Sequence, residues 1–513
     1  MMILVILAAA PQSILAQEKP GTDAADPLWA TENLPTGAVF RYGAIDRNPA
    51  AIGIFELKFS PDGKLIAARD RRQNIRILDI ELQERIALLP TQISRDFQFS
   101  PDNKFVVLAT QSGTQIWSLA EQEKVRDVGQ AGYKLAFASD PQQLVVASKG
   151  GVYRNPWPLP STPAFVQSGL EGRASLPAGI SQDGRMVAFQ DGGRLEILDT
   201  VSGATIDPPR NVVPRQVRFS PNGYLMADMK YGESKLKIFD LRDTKKYQYV
   251  LSDKRRIVNA VFSNDSRFLY TSNYDNSIVI WDMVTMKQVE RIEAHGSRIY
   301  ALAASPNRLL SLASGAAGPT DRSVILWDFL DRIFPPIESV DAIDLDVAWV
   351  DLKSNDPKVS LSATNQFFHA LQHEPRATTG LIATGLGLES VGDNEVAKKL
   401  IRDLDARQYK VRENATTMLT LMVEQARPLL ERRVADSSQE SKWRIQKILR
   451  VDRKKPSIST GEGRREHRIV LALELDGSAD SIKLLEEIVA KSSNFNLVEI
   501  SKQAIDRLAR AAG

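Results

Sequence analysis

The stretch FSPDGKLIAARDRRQNIRILDI, Phe59–Ile80, runs from an apolar residue through Ser-Pro-Asp-Gly into an apolar run, a polar turn and a second apolar run. Proline presets φ and glycine tolerates positive φ, so Pro-Asp-Gly turns the chain tightly. The β-branched runs on either side have the length and composition of strands. The arrangement returns as FSPDNKFVVLAT at Phe99, FASDPQQLVVAS at Phe137, ISQDGRMVAF at Ile180, FSPNGYLMAD at Phe219, FSNDSRFLYT at Phe262 and ASPNRLLSLA at Ala304. Each copy is followed by a second short strand: IRILD, TQIWS, GVYRN, LEILD, LKIFD, IVIWD and VILWD. Seven copies at a period of about 42 residues have the spacing of four-stranded propeller blades. One blade cannot bury both its faces, so the copies must stack around an axis.

The last two copies carry a more specific pattern. Trp281-Asp282 and Trp327-Asp328 each follow an aspartate, Asp275 and Asp321, and His295-Gly296 precedes the seventh copy. These residues resemble the WD-repeat family. The resemblance implies a buried structural hydrogen-bond network of His295, Ser314, Asp321 and Trp327, with Asp275 and Trp281 as counterparts one copy earlier. Other copies depart from the pattern: Asp253 takes the histidine position of copy six, and Ser118 and Asn155 replace the terminal aspartate in copies two and three.

At 513 residues the chain exceeds one ordinary domain. Hydrophobic residues make up 43% and charged residues 25%, which describes a globular chain and not a disordered one. A net charge of +3 gives no global reason to expect nucleic acid or an anionic membrane. MMILVILAAAPQSILAQ reads as an export signal with cleavage after Ala16, so residues 1–16 are expected to be a leader and 17–33 a linker. Periplasmic or extracellular placement follows from that reading. With no cysteine there is no disulfide, thiol chemistry or lipid-attachment residue. A propeller must close its ring, because unpaired edges template aggregation. LPTGAVFRYGAI, Leu34–Ile45, is expected to supply the closing strand, centred on Gly37–Gly43, beside Val324–Trp327.

Pro335-Pro336 ends the strand region, and the apolar period then changes from 2 to 3.6. Three helical segments follow: Val347–His373 with Asp356-Pro357 as a helix start, Glu395–Leu449, and Arg464–Ala511 with Gly477 as a C-cap and Ser478 as an N-cap. The expected organisation is an all-β seven-bladed propeller over 34–334 and an all-α helical domain over 335–513. LPTGAVFRYG, AWVDLKSND, LIRDLDARQYKVRENAT and the last helical stretch together resemble exported WD-repeat proteins of the planctomycete type. That resemblance implies a HEAT-like helical domain, with Leu400, Leu404, Val411, Arg412, Glu413 and Ala415 on its repeat signature. It implies no activity.

The chemical candidates are few. His369 and His373 have the i, i+4 spacing of a zinc pair, but Ala370 stands where a metalloprotease needs glutamate, and no third ligand is signalled. GLIATGLG, Gly380–Gly387, lacks the Lys-Ser/Thr of a phosphate loop. Ser441–Arg468 concentrates Lys442, Arg444, Lys447, Arg450, Arg453, Lys454, Lys455, Arg464, Arg465 and Arg468. This run is either a polyanion contact or a solvated helix end followed by a loop, with Trp443, Ile448 and Leu449 as its core face. The aspartates of the blades, such as Asp62, Asp102 and Asp183, sit where turn-making explains them.

The sequence therefore points to a non-enzymatic protein-interaction scaffold. No catalytic residue, metal or cofactor is expected, and the partners are proteins, not nucleic acid. The alternatives are a propeller hydrolase acting on an exported carbohydrate or peptide, and polyanion binding through 442–468. Two carboxylates converging in the central channel would favour the hydrolase. A channel of small and aliphatic residues would favour the scaffold.

Overall fold

The computed structural model describes residues 29–30, 34–42 and, with interruptions, 53–512. The longer interruptions are 160–165, 169–174, 207–215, 243–247, 389–394, 422–425 and 453–457. The expected leader, 1–16, and nearly all of the linker lie outside the described residues.

Each copy of the repeat forms an antiparallel sheet. Blade 1 consists of Ile54–Phe59, Leu65–Asp70, Ile75–Asp79 and Glu84–Leu89, ordered from the channel outward. Blades 2 to 7 begin at Ser94, Lys134, Leu176, Gln216, Ile257 and Ile299. The innermost strands touch in sequence around the ring, and that of blade 7 returns to that of blade 1. Apolar clusters fill the gaps between neighbouring blades; Leu57, Ile66 and Leu78, for example, pack on Ala301, Ala313 and Leu326.

The hydrogen bonds explain the Ser-Pro-Asp-Gly motif. Buried Ser60 donates to Asp62 (2.6 Å) and accepts from the Leu65 amide (2.8 Å), locking the turn between the first two strands. Ser100, Ser181, Ser220, Ser263 and Ser305 donate in the same way to Asp102, Asp183, Asn222, Asp265 and Asn307. Gly63 is required for two reasons. Its φ is +68°, and a Cβ there would lie 2.1 Å from Asn307 Oδ1, where the turns of blades 1 and 7 meet.

Ala38–Tyr42 pairs antiparallel with Val324–Asp328, placing Phe40 opposite Leu326, and Trp29–Ala30 adds a fifth strand outside it. Phe40 and Tyr42 are buried between blades 7 and 1. The ring is thus closed by a strand from the N-terminal side. Deleting Leu34–Ile45 is expected to replace one cooperative thermal transition by a broader, earlier one. An unchanged melting profile would refute this account of closure.

Because strands alternate in direction, the Ser-Pro-Asp-Gly turns and the outer hairpins share one end of the ring, here the turn face. The inter-blade and central loops share the other, the loop face. After Asp328 come helices α1 (Leu330–Ile333), α2 (Leu345–Asp351), α3 (Pro357–His373), α4 (Pro375–Gly385), α5 (Glu395–Asp403), α6 (Tyr409–Leu421), α7 (Gln439–Asp452), α8 (Gly461–Asp476), α9 (Ala479–Lys491) and α10 (Phe495–Ala512). Asp356 caps α3, Ser478 caps α9, and Gly477 closes α8 at φ +57°. These helices hold two cores. One joins α2–α4 to α8–α10 around Phe367, Ile469 and Leu485; the other joins α5–α7 around Leu404, Leu419 and Ile445.

The helices dock on the turn face. Leu361 of α3 and Leu471 of α8 enter the core that holds Ile280, Ile325, Trp327 and Phe329. Arg468 pairs with Asp282, both fully buried. Glu474 accepts from Arg267 at the turn of blade 6 (2.7 Å) and from Arg507 of α10 (2.6 Å). Lys287 donates to the Asn355 carbonyl.

Candidate functional site

The central channel carries the densest charge on the propeller axis. In five of the blades the innermost strand bulges near its loop-face end, at Ile54/Glu56, Ser94/Asp96, Pro177/Gly179, Ile257/Asn259 and Ile299/Ala301. A bulge re-aims the side chain that follows it. Asp96 thereby bridges blades: it accepts from the amides of Phe97 (3.0 Å) and of Leu135 in blade 3 (2.9 Å), and from Lys58 of blade 1 (2.7 Å). Asn259 donates to the Tyr300 carbonyl of blade 7 (2.9 Å). Arg69 pairs with Glu56 and donates to the Ser94 carbonyl of blade 2.

The electrostatics follow from this packing. Burial alone would raise the Asp96 pKa; Lys58, Lys134 and the Leu135 amide outweigh it and hold the carboxyl at about 2. Burial lowers the pKa of Lys134, and Asp96 and Glu56 offset only part of that loss. Arg218 is lowered by burial as well. The Lys134 ammonium has no hydrogen bond or ion pair among the described residues, and the Arg218 guanidinium makes only long contacts there, 3.5 Å to Val217 O and 3.4 Å to Asn259 Oδ1. The channel is therefore not a lining of small and aliphatic residues: among the described residues two carboxylates, Glu56 and Asp96, come together around Lys58.

The rim on the loop face pairs arginines with aromatic rings. Arg95 lies over Tyr133 at 3.6 Å, and Arg298 over Tyr274 at 3.9 Å. Phe55, 40% exposed, stands 5.1 Å from Tyr300. A recess of about 670 Å³, bordered by Arg72, Thr91, Arg95 and Thr110, opens beside the rim between blades 1 and 2.

The residues singled out by sequence fall into three places. In blade 7, Trp327 Nε1 donates to Ser314 Oγ (2.7 Å), Ser314 meets His295 Nε2 (2.8 Å), and His295 Nδ1 meets Asp321 (2.8 Å). Burial would raise the Asp321 pKa, but His295 and Ser323 together hold it far below the carboxylate range. This Ser-His-Asp alignment is sealed: the side chains of His295 and Asp321 are essentially without exposure, and Ser314 and Trp327 are fully buried. It is a structural strut. Blade 6 solves the same problem with other residues. Trp281 donates to Thr271 (3.0 Å), and Arg291 from the outer strand bridges Asp253 and Asp275, supplying a donor to the blade's aspartate where blade 7 has a histidine. Blade 5 loses the network altogether. The Phe239 ring has no N–H to donate, and Asp228 stands where Ser314 and Thr271 stand, its pKa raised by burial to about 6.

The residues of the basic segment that can be placed do not form one surface. Arg468 is fully buried against Asp282. Arg465 is buried, paired with Glu462 and 4.5 Å from the Trp349 ring centre. Arg444 is buried between Glu413 and Glu440. Arg464 donates to the Lys353 and Ile458 carbonyls. Lys442 and Lys447 are exposed; Arg453, Lys454 and Lys455, and the side chain of Arg450, lie outside the described residues. Trp443 is 57% exposed with Lys447 over its ring, so it is not part of the core face; Ile448 is buried and Leu449 half-buried. Arg412 and Glu413 do not pair with each other: each reaches α7, at Glu440 and Arg444. His369 donates to the Pro335 carbonyl at 3.3 Å, and His373 is exposed. Among the described residues no group of three metal-ligating side chains converges, and no helix is long and apolar enough to cross a membrane.

A family model, "WD domain, G-beta repeat", matches residues 245–282 and 286–328. These spans end on blades 6 and 7, the two that carry a Trp–Ser/Thr hydrogen bond. The chain is 24% identical over 292 residues to a guanine nucleotide-binding protein subunit beta from Saccharomyces cerevisiae, covering 53% of this chain and 67% of that protein. Among solved structures, it is similar to the β-propeller domain of Cps50 (Swd1) from Myceliophteria thermophila at 14% identity and a TM-score of 0.44, covering 54% of this chain and 96% of that one. A chain of the mitotic checkpoint complex is similar at 16% identity and a TM-score of 0.44, covering 64% and 98%. The chain carries WD40 repeats on a seven-bladed β-propeller, followed by a helical region.

Proposed function

We propose that this protein is a non-enzymatic interaction scaffold that binds a protein partner on its loop face and works outside the cytoplasm. The observation that carries the reading is the asymmetry of the ring: helices dock on the turn face, while the charged channel opens among arginine–tyrosine pairs on the other. A rigid ring presenting loops from several blades suits display of a binding surface, and Arg and Tyr are the residue types that anchor protein interfaces. The guanine nucleotide-binding subunit to which the chain is similar is, by its name, a subunit of a larger assembly. The helical region reads as HEAT-like, of the exported planctomycete type, on the residues between Leu400 and Ala415, and in this reading it orients the ring.

Export rests on the leader-like residues 1–16. Fractionation should place the protein outside the cytoplasm with an N-terminus following Ala16; an intact Met1 in the cytosol would refute export. The binding face is tested with a photocrosslinking side chain at Phe55 or, as a comparison, at exposed Trp443. Crosslinks to one protein partner from Phe55, lost on Arg298→Glu with unchanged melting, are expected. The same partner captured only from Trp443 would move the site to the helices.

A further inference from the structure

The channel mouth is unbalanced in charge, and the imbalance has a direction. Two carboxylates, Glu56 and Asp96, project into it among the described residues, and Arg69 and Lys58 already pair with them. Lys134 and Arg218 share that space and have no ion pair within 4 Å among the described residues. Cations held in a partly enclosed site with only part of their charge offset are costly, and the cost is relieved when a further carboxylate enters and accepts charge-assisted hydrogen bonds. Burial already pulls both cations below their usual pKa, in agreement with a site short of negative charge.

The surroundings say what kind of anion fits. Arg95 belongs both to the channel rim, over Tyr133, and to the recess between blades 1 and 2, so positive charge continues from the mouth into an open groove. Arg72 lies further along that groove. A single small ion would use the mouth and leave the groove empty. Nucleic acid needs aromatic faces free for stacking and a cationic track along its backbone. Here Tyr133 and Tyr274 each give a face to an arginine of the rim, and Lys58, Lys134 and Arg218 gather in the channel and do not form a track.

We propose that the loop face receives an acidic peptide segment of the partner: one Asp or Glu side chain enters the channel between Lys134 and Arg218, and neighbouring acidic residues run past Arg95 and Arg72. This rests on the scaffold reading and adds the chemistry of its partner. The attraction steers encounter and fixes register more than it supplies raw affinity.

The probe is a fluorescein-labelled octa-glutamate peptide, titrated against the full chain by fluorescence anisotropy, with octa-serine, inorganic phosphate and an oligothymidylate of equal length as comparisons. Octa-glutamate is expected to bind best, to weaken as salt rises, and to lose about tenfold in affinity in Lys134→Gln and in Arg218→Gln. Arg95→Gln at the rim, which leaves the channel packing intact, should lose several-fold, and Lys442→Gln on α7 nothing. Melting curves show that each variant is folded; should the channel variants fail to fold, Arg95→Gln and the salt series decide. No binding of octa-glutamate, equal affinity in the variants, or tighter binding of phosphate or oligothymidylate would each overturn the proposal. If octa-glutamate fails while Phe55 still crosslinks one partner in an Arg298-dependent way, the scaffold reading stands and the acidic class falls. If both fail, both fall.

Discussion

Trp327→Ala is expected to lower stability by about 3–5 kcal/mol, the range for removing a large aromatic from a packed core. Three features put it in that range. Trp327 is fully buried, it stacks on Phe329 with ring centres 5.8 Å apart, and its indole N–H anchors the Ser314–His295–Asp321 strut. Its cluster also contains Leu361 and Leu471 of the helical region, so the cavity opens where ring and helices meet. Urea unfolding should show a lower midpoint, and limited proteolysis should release the helical region earlier than in the parent. Trp327→Phe, which keeps most of the packing and loses the N–H, should cost less. A loss below about 1 kcal/mol in Trp327→Ala would contradict the packing described.

The second large effect is expected at Asp282 and Arg468, and it should be unequal. Asp282 also accepts from the amides of Val284 and Thr285 and from the Thr285 hydroxyl (2.5 Å), so its carboxylate keeps three donors when the arginine is gone. Arg468 has no such reserve: its Nε and Nη1 have no partner among the described residues, and only Nη2 reaches Asp282. Asp282→Asn therefore strands a buried cation and should cost about 3–5 kcal/mol, while Arg468→Met should cost clearly less. Combining Asp282→Asn with Arg468→Met should recover much of the loss. Equal single-mutant costs, or a double variant no better than Asp282→Asn alone, would mean that the pair does not hold the two parts together as drawn.

What could be read from the sequence was whatever is encoded locally. The Ser-x-Asp/Asn turn closes within six residues, Ser60 to Leu65, so it recurs visibly in six of the seven copies. Asp356, Gly477 and Ser478 act on the helix ends next to them. The channel is different, because its residues come from separate blades. A signal for it was nevertheless present: the third residue before the phenylalanine is Glu56, Asp96, Lys134, Gln216 and Asn259 in copies one, two, three, five and six, polar where a half-buried strand is otherwise apolar. Stacking the copies by that phenylalanine exposes the row. The basic run misled for the converse reason. Charge counted along a line does not say which side of α8 meets its neighbours: Arg468 faces the propeller at Asp282, and Arg465 packs on Trp349 of α2. The histidine position of blade 6 was legible as a departure, but its substitute, Arg291, comes from the outer strand and could be assigned only in three dimensions.

The strand that closes the ring also sets a timetable. Ala38–Tyr42 is made early, yet its pairing partner Val324–Asp328 appears only after almost the whole propeller has been synthesised. Most strand pairs lie within one blade and form from neighbouring segments, whereas this pair must span nearly the full ring, and such non-local pairing is the slow part of folding. Until it forms, the outer edge of Val324–Asp328 and the apolar side chains of Phe40 and Tyr42 stay open to other chains. Refolding should therefore show a late phase that reports the burial of Phe40 and Tyr42, and aggregation should compete mainly with that phase. A chain that crosses a membrane before folding would meet the same delay on the far side, where a holding factor would have most to gain by covering the last blade.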